Sequence, residues 1–224
     1  MRPTEDSFHA LARSAPWRWM SLHFRHRSEA TTRYGGEVEA WVERPGRTRV
    51  VSADAREFVE TGLPYSRWPE RDRRWPHLAA PTYRPDGLVA ERPGDGDVDY
   101  DDPMFENFSW VAMLDPVELS HDVRVEAPRE AEVAGRPVLR ARVVAGPGYE
   151  PRCGGNCCEL LFGEAGLQAD FDDPSRVPAD LRGRVYPAGY DVALDVATGV
   201  VVRCLPIGGD GRAPWLENDI VDAR

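Results

Sequence analysis

Apolar positions recur at helical spacing near the start of the chain, in "TEDSFHALARSA" (4–15). Phe8, Leu11 and Ala12 fall on one face, Thr4 or Asp6 can cap the start, and Pro16 stops the run. A short helix is predicted, with Glu5 and Asp6 at its positive end. The period then changes to two. In "WRWMSLHFRHR" (17–27) Met20, Leu22 and Phe24 alternate with Ser21, His23 and Arg25. In "GEVEAWVER" (36–44) Val38, Ala40 and Val42 alternate with Glu37, Glu39, Trp41 and Glu43. "RTRVVSA" (47–53) and "REFVE" (56–60) follow closely, which predicts an antiparallel meander.

Between 62 and 104 the periodicity is lost. Pro64, Pro69, Pro76, Pro81, Pro85, Pro93 and Pro103 interrupt any regular element, while Tyr65, Trp68, Trp75, Leu78 and Tyr83 give the segment something to bury. A long ordered loop is expected, of the kind that forms lids and binding surfaces. "DPMFENFSWVAMLDPVELS" (102–120) reads as helix, with Phe105, Phe108, Val111 and Ala112 at helical spacing and a break at Pro116. Strands return in "DVRVEAPR" and "EAEVAGRPVLRARVVAG", which turn at Ala134-Gly135. "YDVALDVATGVVVRCLPIGG" (190–209) gives another hairpin, turning at Ala197-Thr198-Gly199. No internal repeat of solenoid type is present.

A chain of 224 residues, 42% hydrophobic and 29% charged, is long enough and apolar enough for a substantial core. The formal net charge of -10 disfavours general nucleic-acid binding. Every basic residue other than His is Arg, a compositional bias to which no functional weight attaches. The cluster "SRWPERDRRWP" (66–76) sets Arg67, Arg71, Arg73 and Arg74 beside Trp68 and Trp75, but Glu70 and Asp72 interrupt the charge. It can be an Arg/Trp stacking surface for an anion or a base; the interrupted charge favours a loop whose Arg stems lie over core-covering Trp rings. The N-terminal stretch has no apolar run of secretory length, and no run reaches the roughly 20 residues of a membrane span. A cytoplasmic location with reduced thiols is the expectation.

"PRCGGNCCELLFG" (151–163) holds three of the four cysteines. Cys153, Cys157, Cys158 and Cys204 have the number and softness for structural zinc, although C-x3-C-C departs from the usual C-x2-C clip. A disulfide from Cys204 to the loop, or cysteines packed as small apolar groups, are the alternatives. Two Val- and Leu-rich runs this close in sequence are expected to be neighbours, which puts Cys204 near the loop. "DGDVDYDDPMFE" (95–106) places Asp95, Asp97, Asp99 and Glu106 as in a calcium loop, but Tyr100 stands where Gly is required, so a solvated acidic loop capping the next helix is expected. His23 and His26 fall on opposite faces of one strand. No nucleophile-and-base spacing and no Gly-rich phosphate loop is present, so no enzyme activity is expected and no cofactor beyond the zinc option.

The order of elements resembles the LolA/RseB-like lipoprotein-carrier superfamily. The resemblance rests on the leading helix and first strand (4–27), "VEAWVERPGRTRVVSADAREFVE" (38–60), "VAGRPVLRARVV" (133–144) and "YDVALDVATGVVVR" (190–203). The last two are similar to the family's Gly-Arg hairpin and its "strand, Asp, Thr-Gly, strand" hairpin. About half the chain is covered. The resemblance implies an α+β fold in one domain over 1–224: a curved antiparallel half-barrel sheet, with helices and the 62–104 segment on its concave side. It also implies an apolar cleft, for which Trp68, Trp75, Phe105, Phe108 and Trp110 are the candidate lining residues. The function expected is non-catalytic binding or regulation, with a lipid-like molecule or a protein as partner. The alternative is a metal- or thiol-dependent protein centred on the cysteine loop at 151–158.

Overall fold

The computed structural model describes residues 1–62, 75–94, 98–152, 158–171, 176–179 and 181–224. Among the described residues there are eleven strands: β1 (Ser21–Ser28), β2 (Val38–Glu43), β3 (Arg47–Ser52), β4 (Glu57–Thr61), β5 (Thr82–Tyr83), β6 (Val89–Glu91), β7 (Val123–Val133), β8 (Arg136–Ala145), β9 (Tyr190–Asp195), β10 (Val201–Pro206) and β11 (Leu216–Ala223). Three α-helices accompany them: α1 (Glu5–Ser14), α2 (Phe108–Leu114) and α3 (Glu164–Asp170).

Nine strands form one open sheet in the order β4-β3-β2-β1-β11-β10-β9-β8-β7, with antiparallel neighbours throughout. This is the curved half-barrel class expected from the sequence. The last strand, β11, joins the two meanders by pairing with β1 from Leu22↔Ala223 to Ser28↔Leu216. Leu216 and Ile220 point inward from it, and so does the polar Asn218, which breaks the apolar alternation. The segment 62–104 carries the small β5–β6 hairpin, a second feature that its proline content conceals.

The inner face carries the core. Leu22, Phe24, Val38, Ala40, Val42 and Val50 fill one half, and Leu139, Ala141, Val143, Val192, Leu194 and Val202 fill the other. Helix α1 packs Phe8, Leu11 and Ala12 into it. Thr4 caps α1 through Ser7: Thr4 Oγ1 accepts from Ser7 N–H at 3.1 Å, and Ser7 Oγ accepts from Thr4 N–H at 3.0 Å. The C-terminal end of α1 lies against the β9–β10 turn. A Cβ on Gly199 (φ +76°) would stand 2.9 Å from the Leu11 carbonyl oxygen and 3.2 Å from Ala15, so only glycine fits there. On the edge strand β7, Val125 N–H donates to Glu5 of α1 at 3.3 Å, which occupies part of an open edge.

The helix expected over 102–120 is shorter in the structure. Asn107 caps α2 by accepting from Ser109 N–H at 3.0 Å, and Asp115 leaves helical geometry because Pro116 follows it. Residues 117–120 form a separate 3-10 turn. The arginines have a structural part on the convex face. Arg140, Asp191, Arg203, Glu217 and Arg27 pair in succession at 2.5, 2.9, 2.8 and 3.2 Å, a charged ladder across β8, β9, β10, β11 and β1. Among the described residues no helix is long and apolar enough to cross a membrane.

Candidate functional site

Register places five inward residues in one row across the sheet: Ser28, Leu216, Cys204, Val192 and Ala141, on β1, β11, β10, β9 and β8. The Ser28–Cys204 end of this row opens into a cleft of about 450 Å³. Leu160, Cys204 and Leu216 form its buried apolar surface, and the buried Glu159 also lines it. Glu29, Arg33 and Trp215 stand at its more exposed rim, and Arg33 is already paired with Glu106.

The wall containing Leu160 is held by a buried carboxylate. Glu118, 1% exposed, accepts from Tyr149 O–H at 2.5 Å, from Leu160 N–H at 3.0 Å and from Arg152 N–H at 2.9 Å. One side chain thus fastens both flanks of the cysteine-rich loop. Burial pushes Glu118 above the usual carboxylate range against the pull of those three donors. Beside it, the Arg152 guanidinium donates to Asp115 at 2.7 Å and to Asp101 at 2.6 Å, and Arg92 reaches Asp115 from the other side at 2.7 Å. Burial alone would raise Asp115, but the two guanidiniums outweigh it and hold the carboxyl below its ordinary range. None of these residues carries a motif. Each is an isolated charge in sequence, and the tertiary structure brings them together.

Cys204 lies at the cleft floor, where its thiol donates to the Leu160 carbonyl at 3.3 Å, two residues beyond Cys158. Cys158 is buried with Phe108 and Val111 in a small separate cluster. Cys153 and Cys157 lie outside the described residues, as do Trp68, Arg67, Arg71, Arg73, Arg74, Asp95 and Asp97. Among the described residues no group of three His, Cys, Asp or Glu is placed to hold a metal ion. Phe105 and Trp110 sit in the main core, where they border a small recess behind the cleft. Trp75 is half-buried with its ring 3.6 Å from where a Cβ on Gly46 would stand. Asp101 and Asp102 are ion-paired, to Arg152 and Arg44, where the sequence suggested a solvated acidic loop.

Cys204, His26 and Asn218 are the residue types of a thiol hydrolase, and their arrangement separates them. His26 faces Asn218, whereas Cys204 faces Leu216 one inward position along. His26 and Cys204 stand on strands with β11 between them, two strand spacings or about 10 Å apart. Burial raises the Cys204 thiol well above its ordinary value, so it remains protonated. The set has neither the contact nor the thiolate that nucleophilic catalysis requires.

No family model and no curated protein matches the chain. Among solved structures it is similar to the crystal structure of MucB, at 16% identity and a TM-score of 0.39, over 96% of this chain and 57% of that one. The crystal structure of MucB in complex with MucA(peri) matches at 15% identity and a TM-score of 0.37, over 96% and 54%. The chain therefore spans a little over half the length of the chains it matches.

Proposed function

We propose that this chain is a non-catalytic binding protein whose cleft at the end of the concave face takes an amphipathic, lipid-like molecule. The cleft itself carries the reading. Its volume of about 450 Å³ is in the range of small-molecule sites, which run from about 300 to 1,000 Å³. Leu160, Cys204 and Leu216 give it a buried apolar surface, and Ser28, Asn107, Ser109 and Glu159 add polar groups to the lining, so an apolar chain lies against the former with its polar end toward hydrogen-bonding groups. The Glu118 clamp supports a preformed wall, which reduces the ordering that a ligand would otherwise have to impose.

Native mass spectrometry of protein purified from its own host tests this. Ala30 lines the cleft and is half-buried, so Ala30→Trp fills the space from its side. A bound small-molecule mass that this variant lacks is the expected result. No bound mass, together with no response of Leu160, Trp215 or Leu216 amides to a ten-carbon amphiphile, would sink the reading.

A further inference from the structure

A second, smaller cavity adjoins the cleft. Ser28, Ala30, Asn107 and Ser109 line both the cleft and a recess of about 10 Å³ behind it. That is room for about one water-sized group. His26 and Trp110 also border this recess, and the two rings meet edge to face at 5.3 Å.

The protonation of His26 follows from its partner. Asn218 Nδ2 donates to the Val201 carbonyl at 2.6 Å and to Met113 Sδ at 3.3 Å. Asn218 Oδ1 is therefore the atom that meets His26 Nδ1 at 2.7 Å, and the imidazole proton sits on Nδ1. Burial pushes His26 down to about 4, so the ring is neutral at pH 7 and Nε2 carries a lone pair. Trp110 is 2% exposed, and its buried Nε1–H meets no acceptor among the described residues. An indole N–H can only donate. Glu106, the carboxylate bordering the recess, is already taken by Tyr34 and Arg33.

The recess thus holds one buried donor without an acceptor, the Trp110 indole N–H, beside the neutral imidazole of His26, with the Ser28 and Ser109 hydroxyls and the Asn107 amide also in its lining, in a space for one small group. A hydroxyl can accept from the indole and donate to the imidazole at once. A carboxylate would set its lone pairs against Nε2, and an ammonium would set its protons against the indole N–H. Either would also bury a charge with no counter-charge. We infer that the recess takes the hydroxyl head of the cleft's ligand, which donates to His26 Nε2 and accepts from Trp110 Nε1–H. This rests on the reading of the cleft as an amphiphile site, and names the ligand class as a hydroxyl-headed amphiphile.

Three ten-carbon probes separate the cases at pH 7 with the full chain: 1-decanol, decyl methyl ether and decanoate. The ether can accept from Trp110 but cannot donate to His26. 1-Decanol is expected to bind about tenfold more tightly than the ether, the worth of one hydrogen bond, and more tightly than decanoate. The ¹⁵N resonance of His26 Nε2 and the Trp110 indole N–H are expected to shift with 1-decanol. Equal affinity for alcohol and ether, with both resonances unmoved while Leu160 and Leu216 respond, would show that the recess holds solvent only. That result overturns the inference and leaves the cleft reading standing. No response of any cleft residue to any probe overturns both.

Discussion

Arg136 and Asp195 form a bidentate ion pair, with Nε to Oδ2 at 2.7 Å and Nη2 to Oδ1 at 3.1 Å. The same Asp195 oxygen Oδ1 accepts from Thr198 N–H and Thr198 O–H, each at 2.8 Å. Arg136 follows the β7–β8 turn, and Asp195 opens the β9–β10 turn. The two hairpin motifs that stood out in the sequence are therefore one interaction, which ties neighbouring hairpins at one end of the sheet.

Asp195 is fully buried, so its removal leaves a guanidinium and two turn donors unmatched. Asp195→Ala is expected to cost about 3–5 kcal/mol, read as a shift in the urea midpoint. Arg136→Lys keeps the charge and loses the two-pronged geometry. Its expected cost is smaller, about 1–2 kcal/mol. Equal losses for the two substitutions would contradict the bidentate account.

Glu118 and Asp115 should respond to pH in opposite senses. Glu118 holds its proton to higher pH in the folded chain than its ordinary value of 4.5. Its contribution to stability is complete below that value and is lost as pH rises through the folded value. Asp115 is depressed below its ordinary 3.8, so its contribution is present above 3.8 and is lost as pH falls below it. Glu118→Gln should flatten the decline of stability on the rising side, and Asp115→Asn the decline on the acid side. Asp115→Asn should also cost about 3–5 kcal/mol at neutral pH, since it takes the carboxylate from buried Arg92 and one of the two carboxylates from Arg152. Denaturation midpoints across pH 3 to 8 check both.

His26 is shifted from its ordinary 6.5 to about 4 by burial. Between those values the unfolded chain takes up a proton that the folded chain refuses. Stability from this group is therefore present above pH 6.5 and falls by roughly 1.4 kcal/mol per unit as pH drops toward 4. An NMR titration of the imidazole nitrogens should show one His with its proton on Nδ1 and a midpoint near 4. A midpoint near 6.5 would place His26 in solvent and remove the acceptor from the recess.

At the β7–β8 turn, Ala134 has φ +50° and Gly135 φ +77°. Two consecutive left-handed residues suit a type I′ turn, where Asn-Gly is the favoured pair. Ala tolerates this region poorly. Ala134→Asn is expected to stabilise the fold by about 1 kcal/mol, seen as a higher Tm.

The sequence by itself determined the local elements. Helix α1, the strands from Ser21 to Thr61, and both later hairpins follow from apolar period and turn residues, because those signals are fixed by which side chains can share a face. The opposite placement of His23 and His26 was legible on the same ground: His23 reaches Glu39 at 2.8 Å on the outer face and His26 is buried within. Only the tertiary structure decided what closes the sheet and where the cleft lies. β11 was unreadable because Asn218 occupies an inward position, and its reason for being there, His26, lies 192 residues away. The clamp on Leu160 was equally hidden. Glu118, Tyr149 and Arg152 are ordinary polar residues until burial makes their hydrogen bonds obligatory, and burial depends on which distant segments pack together.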